Sequence, residues 1–109
     1  MNFPMDYEQD VDGIVWEHEL DPWLPTRIFD FHSHIFRRID APHAQKQALN
    51  PSMPVVCSEY TGDDYLKAMQ QLFPKRDIHA LLFNTIDTMA DLTQQNAYIA
   101  ETIRQPQLY

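Results

Sequence analysis

Residues 27–36 read Arg-Ile-Phe-Asp-Phe-His-Ser-His-Ile-Phe, a run rich in β-branched and aromatic side chains entered just after Pro25. That pattern predicts a strand reaching at least Phe31. If the extended conformation persists, period 2 sends Ile28, Asp30, His32 and His34 to one face and Phe29, Phe31, Ser33 and Ile35 to the other. One face is then ready to pack on helices, while the other grows polar toward its C-terminal end. Three ionisable side chains on a single row break the continuous apolar pattern of a buried parallel strand, and such breaks mark functional sites.

Two more apolar periodicities follow. Thr61 suits an N-cap, Asp63 and Asp64 suit the positive first turn, Leu66, Met69, Leu72 and Phe73 recur at helical spacing, and Pro74 stops the run, so a helix is expected there. The apolar stretch over residues 78–86, bounded by Asp77 and Asp87, has the length of a buried strand. A second helix is expected over residues 90–104, with Met89, Leu92, Ile99 and Ile103 as its core stripe. Asn96 interrupts that stripe, and a buried amide there needs partners. Residues 39–60, with Pro42, Pro51 and Pro54, read as an irregular crossover containing a short helix near residues 44–49.

Strand, crossover with helix, strand, helix is the order of α/β units on a parallel sheet. Two strands do not close a barrel, and a (β/α)8 barrel takes ~250 residues. The chain has 109 residues and reaches Tyr109 where a third strand ought to begin after Pro106, so an incomplete domain is expected.

Charge divides the chain. The net charge is −8, and seven acids (Asp6, Glu8, Asp10, Asp12, Glu17, Glu19 and Asp21) precede the first base, Arg27. Residues 1–26, with Pro4, Pro22 and Pro25 among the acids, are therefore read as an extended acidic arm suited to clipping onto a neighbour through its rings, and residues 27–109 as the folded α/β domain. The acidic balance argues against nucleic-acid binding, which needs clustered Lys and Arg. No apolar stretch approaches the ~20 residues of a bilayer span, so no membrane partner is expected. Residues 1–21 have neither Lys nor Arg nor an apolar core of a secretory signal, which leaves the cytoplasm as the expected compartment. The lone Cys57 excludes an intramolecular disulfide, and two glycines exclude a Gly-rich phosphate loop.

The candidate chemistry sits in Asp30-Phe31-His32-Ser33-His34. Imidazoles at i and i+2 of an extended segment project the same way and can reach one divalent ion at ~2.0–2.1 Å. Zinc is expected first, and Mn, Fe or Ni also accept neutral imidazole nitrogen. Asp30, on the same row, would orient a ligand histidine or bind directly. An ion held by part of its shell keeps a place for water and lowers that water's pKa toward ~7. Against this stands the plainer reading of two polar residues at a strand end facing solvent. His79 falls near the start of the second strand, away from the end where barrel sites collect, and is read as structural. His18 and His43 are read as solvated, and Cys57 as packing. Asp87 stands at the favourable end of the second strand as a pocket-lining candidate, with capping of the next helix together with Thr88 as its plainer role.

The segment Leu24-Pro25-Thr26-Arg27-Ile28-Phe29-Asp30-Phe31-His32-Ser33-His34-Ile35 resembles the opening strand of the amidohydrolase superfamily, and most closely the amidohydrolase-related group of aromatic-acid decarboxylases and lactone hydrolases. The capped helix, the apolar strand and the helix containing Asn96-Ala97-Tyr98-Ile99-Ala100 are similar to the first two βα units of that group, so the resemblance runs from about Leu24 to Tyr109. It implies a TIM-like barrel with a divalent metal, His32 and His34 as first-strand ligands, and a small carbonyl compound as substrate. In that family further ligands and bases come from the fifth, sixth and eighth strands, none of which is expected within this chain. Two functions follow as expectations: the N-terminal portion of such a hydrolase or decarboxylase, or a small non-catalytic α/β module or inactive remnant whose open edges require a second copy or a complementary chain.

Overall fold

A computed structural model describes residues 9–40, 59–84 and 91–109. Two parallel strands, β1 (Arg27–His34) and β2 (Asp77–Phe83), form a sheet flanked by α2 (Gly62–Leu72) and α3 (Leu92–Thr102), preceded by α1 (Gln9–Val15). The mixed α/β class with a parallel sheet is thus as the periodicities required. The short helix expected near residues 44–49, together with His43, Cys57 and Asp87, lies outside the described residues.

α2 and α3 each start where the sequence provides a cap. Thr61 and Asp64 form a reciprocal capping box at the head of α2, satisfying two otherwise orphaned N–H groups. Asp91 caps α3 by accepting from the amide of Gln94 at 3.1 Å, while Asp87 and Thr88, considered for a capping role, lie outside the described residues.

Both helices pack on one face of the sheet. Ile35, Ala80, Leu82 and Leu108 gather there around Tyr65 of α2, with Leu66, Met69, Tyr98 and Ile99 packed against them. β2 alternates, burying Ile78, Ala80 and Leu82 while Leu81 and Phe83 are exposed on the other side. The apolar run over residues 78–86 is therefore a strand with one buried face, not two, as far as it is described. Beyond α3 the chain returns to β2: Ala80 pairs in parallel with Leu108, its N–H reaching Gln107 O at 2.9 Å and its carbonyl accepting Tyr109 N at 2.8 Å. Residues 107–109 thus lie beside β2 through one parallel bridge, on the edge opposite β1.

Three expectations are corrected. The acidic segment is helical from Gln9, continuing as a π-helical turn (Trp16–Leu20) and a 3-10 turn (Asp21–Trp23), because no proline interrupts it between Pro4 and Pro22 and Asp10 and Asp12 sit favourably in the first turn. It folds onto its own chain: Trp16 meets Phe73 edge-on at 5.5 Å, and Arg76 pairs with Asp21 Oδ1 at 2.5 Å. Trp23 alone of the two tryptophans stays open to solvent, 84% exposed.

The second correction concerns part of the α3 stripe: Ile99 packs against the core as expected and Met89 lies outside the described residues, but Leu92 is 61% exposed and Ile103 is also exposed, while the buried residues of the helix are Gln95 and Thr102. Its inner side is polar in part, and two of the polar groups there are partnered while Gln95 Oε1 finds no partner among the described residues. Gln95 Nε2 donates to Asp40 O at 3.2 Å, Thr102 Oγ1 donates to Tyr98 O at 2.9 Å, and the bare Cα of Gly62 lets the head of α2 press on Thr102.

The third lies in β1. Asp30 pairs with Ala80 and Ser33 with Leu82, so three steps on β1 match two on β2. That extra residue is a β-bulge, and it reverses the facing of every side chain after it.

Candidate metal-binding site

Asp30 and the two histidines share one row in an unbroken strand; the bulge separates them. Asp30 and Ser33 turn toward α2, and Ile35 is buried in the core beneath it. His32 and His34 emerge on the helix-free face, against Phe83 at ring distances of 5.3 and 5.8 Å. Both are exposed, at the C-terminal end of β1.

The two imidazoles converge, with Nε2 atoms 3.1 Å apart. Nδ1 of His34 lies 2.8 Å from the carbonyl oxygen of Asn84, and a carbonyl only accepts, so the Nδ1 proton is retained and Nε2 carries the free lone pair. In the neutral pair His32 Nε2–H donates to that lone pair. The donor set fits a divalent ion: bonds of about 2.0–2.1 Å bring neighbouring ligand nitrogens to about 3.0–3.4 Å from one another. Fixing the far nitrogen of a ligand histidine on a backbone carbonyl is also the usual support for such sites. The fit extends to two ligands, for among the described residues no group of three or more His, Cys, Asp or Glu side chains comes together.

Asp30 does not face the histidine nitrogens. Its Oδ1 accepts from the His32 amide at 3.2 Å, and its Oδ2 accepts from the hydroxyls of Ser33 and Tyr65, the latter at 3.0 Å. Burial pushes its pKa up, but the bonds from Ser33, the His32 amide and Tyr65 outweigh this and hold it below the usual carboxylate value. The Tyr65 hydroxyl is pushed well above its ordinary pKa, first by burial and then by donating to Asp30.

His79 is half-buried on the helix-free face, its Nδ1 3.2 Å from Tyr109 Oη and its Nε2 3.2 Å from Asp77 Oδ1, so it is engaged at the opposite end of the strands from His34. His18 is exposed on the π-helical turn. Three residues of the site were given no role in the sequence reading: Ser33, Tyr65 and Asn84. Asn96 was flagged by its break in the apolar stripe; it is exposed, and its Oδ1 accepts from Asn84 Nδ2 at 2.5 Å. Tyr65 gave no signal, because a tyrosine beside Leu66 does not announce which of the two enters the core.

Compared with family models, curated proteins and solved structures, the chain matches none. Among the described residues no helix is long and apolar enough to cross a membrane.

Proposed function

We propose that this chain carries the first-strand part of a metal-dependent hydrolase or decarboxylase of the amidohydrolase type, with His32 and His34 as ligands of a divalent ion, zinc first. The reading rests on the two Nε2 atoms 3.1 Å apart at the C-terminal end of β1, one histidine having its tautomer fixed by a main-chain carbonyl. Support for a (β/α)8 parent comes from the sheet: β1, β2 and the residues pairing with β2 at Leu108 lie in sequential parallel order with both described βα helices on one face. In such barrels chemistry gathers at the C-terminal ends of the strands.

A divalent ion supplies Lewis-acid polarisation of a carbonyl oxygen and a water acidic enough to act near neutral pH. The chain's own residues have simpler tasks. His32 and His34 present lone pairs to one point, the Asn84 carbonyl keeps the His34 proton on Nδ1, and Phe83 gives the site an apolar wall suited to a small carbonyl compound. The remaining ligands and the general base would come from the later strands that the resemblance implies, and Asp87, outside the described residues, is kept as a pocket-lining candidate.

Calorimetric titration with Zn and Mn tests the reading. The chain is expected to bind one equivalent weakly, as two imidazoles allow, and a His32→Ala/His34→Ala variant not at all. Equal binding by both removes the site. The alternative, a non-catalytic module covered by a second copy or a complementary chain, draws support from Phe29, Phe31, Leu81 and Phe83, all exposed. Sedimentation decides it: concentration-dependent association that persists in the double-alanine variant favours the module.

A further inference from the structure

We propose that Asp30 is a positioning residue for the histidine pair: its carboxylate, held by Tyr65 and Ser33, sets the bulge in β1 that turns His32 and His34 onto one face together. The inference rests on the reading of that pair as metal ligands and adds the device that assembles it.

The geometry supplies the reason. Asp30 faces α2, where its Oδ2 takes the Tyr65 hydroxyl at 3.0 Å and also the Ser33 hydroxyl. In a regular strand His32 and His34 would follow Asp30 to that side, into the apolar cluster around Tyr65, and Ile35 would be driven out of the core. Instead the register slips by one residue between Asp30 and Ser33, Ile35 is buried and the imidazoles emerge beside Phe83. A bulge leaves an amide without its regular ladder partner, and here the His32 amide is taken by Asp30 Oδ1 at 3.2 Å. One carboxylate therefore accepts from the main chain at the slip, from the side chain just past it, and from the helix above. Tyr65 is 2% exposed, so the anchor is set in the best-packed part of the molecule.

The demand on residue type is specific. Alanine at position 30 removes the carboxylate on which the His32 amide, the Ser33 hydroxyl and the Tyr65 hydroxyl converge. Asparagine keeps an oxygen for the His32 amide and is expected to rescue much of the geometry. Phenylalanine at position 65 keeps the ring in the core and removes only the bond that aims the carboxylate.

The test uses the full chain with histidine rings labelled, without metal and then with zinc under competition from a chromophoric chelator. In the unsubstituted protein a nuclear Overhauser effect is expected between the Hε1 protons of His32 and His34. Asp30→Ala is expected to abolish it and to weaken zinc binding about 10–100-fold, while Asp30→Asn keeps it and loses less than about tenfold. Retention of both the effect and the affinity in Asp30→Ala overturns the proposal. Should Asp30→Ala fail to fold, Tyr65→Phe decides: a weakened ring contact with a lowered affinity supports the proposal, and no change in either overturns it. If the parent chain binds no zinc yet its ring contact depends on Asp30, the positioning role stands and the metal reading falls.

Discussion

The Oδ1 of Asn96 accepts a hydrogen bond from Asn84 Nδ2 at 2.5 Å, tying α3 to the residue whose carbonyl receives the Nδ1 proton of His34. The exposed Asn96 thereby steadies the half-buried Asn84, whose main-chain carbonyl orients the His34 ring. Asn96→Ala is expected to cost little stability, about 0.5–1.5 kcal/mol, since the bond is solvent-exposed. It should nevertheless loosen the Asn84 carbonyl, and ring 15N shifts are expected to show His34 moving from a single Nδ1–H tautomer toward a mixture.

Gly62 is the point where α2 meets α3. Its amide donates to Tyr98 Oη at 3.0 Å, and a Cβ built there would run into Cγ2 of Thr102, a β-branched side chain whose Oγ1 is bonded to Tyr98 O. Thr102 has little room to give way. Gly62→Ala is therefore expected to destabilise by about 1–3 kcal/mol, against the usual gain from alanine in a helix, as measured by urea unfolding.

Leu108 is 2% exposed although it stands next to the chain's last residue, and its segment is bonded to both sides of Ala80. Truncating this side chain empties part of the one described core. Leu108→Ala is expected to cost about 2–5 kcal/mol, and faster amide exchange at Ala80 and Leu82 should accompany it.

Tyr65 gives a pH dependence with a definite sign. Its folded pKa is raised, so the unfolded chain loses the phenolic proton first, near pH 10. The stability it contributes is complete below that value and is lost as pH rises from about 10 through the folded pKa. Tyr65 is expected to ionise only on alkaline unfolding when followed by phenolate absorbance, and Tyr65→Phe should abolish that late step.

Much of the architecture was legible because it depends on neighbours in sequence. The Thr61 cap with Asp64 three residues on, the helix it opens and the parallel order of the units all follow from spacing and local hydrogen-bonding chemistry. The convergence of His32 and His34 follows from their i, i+2 spacing in the same way. What stayed hidden was any choice made by partners distant in sequence. Period 2 placed Asp30 with the histidines, and only Tyr65, 35 residues later, makes the slip in register worthwhile by taking the carboxylate into the core. The apolar stripe pointed Leu92 and Ile103 inward, but the carbonyl of Asp40 and the bare Cα of Gly62 drew Gln95 and Thr102 there instead. By itself the sequence determined both strands, the helices α2 and α3 and that two imidazoles can meet, since torsional preference and periodicity act over a few residues, although it did not announce the helical turns over residues 9–23. Tertiary structure alone decided which face each side chain occupies after the bulge, because register is settled by packing and by polar groups finding partners across the sheet.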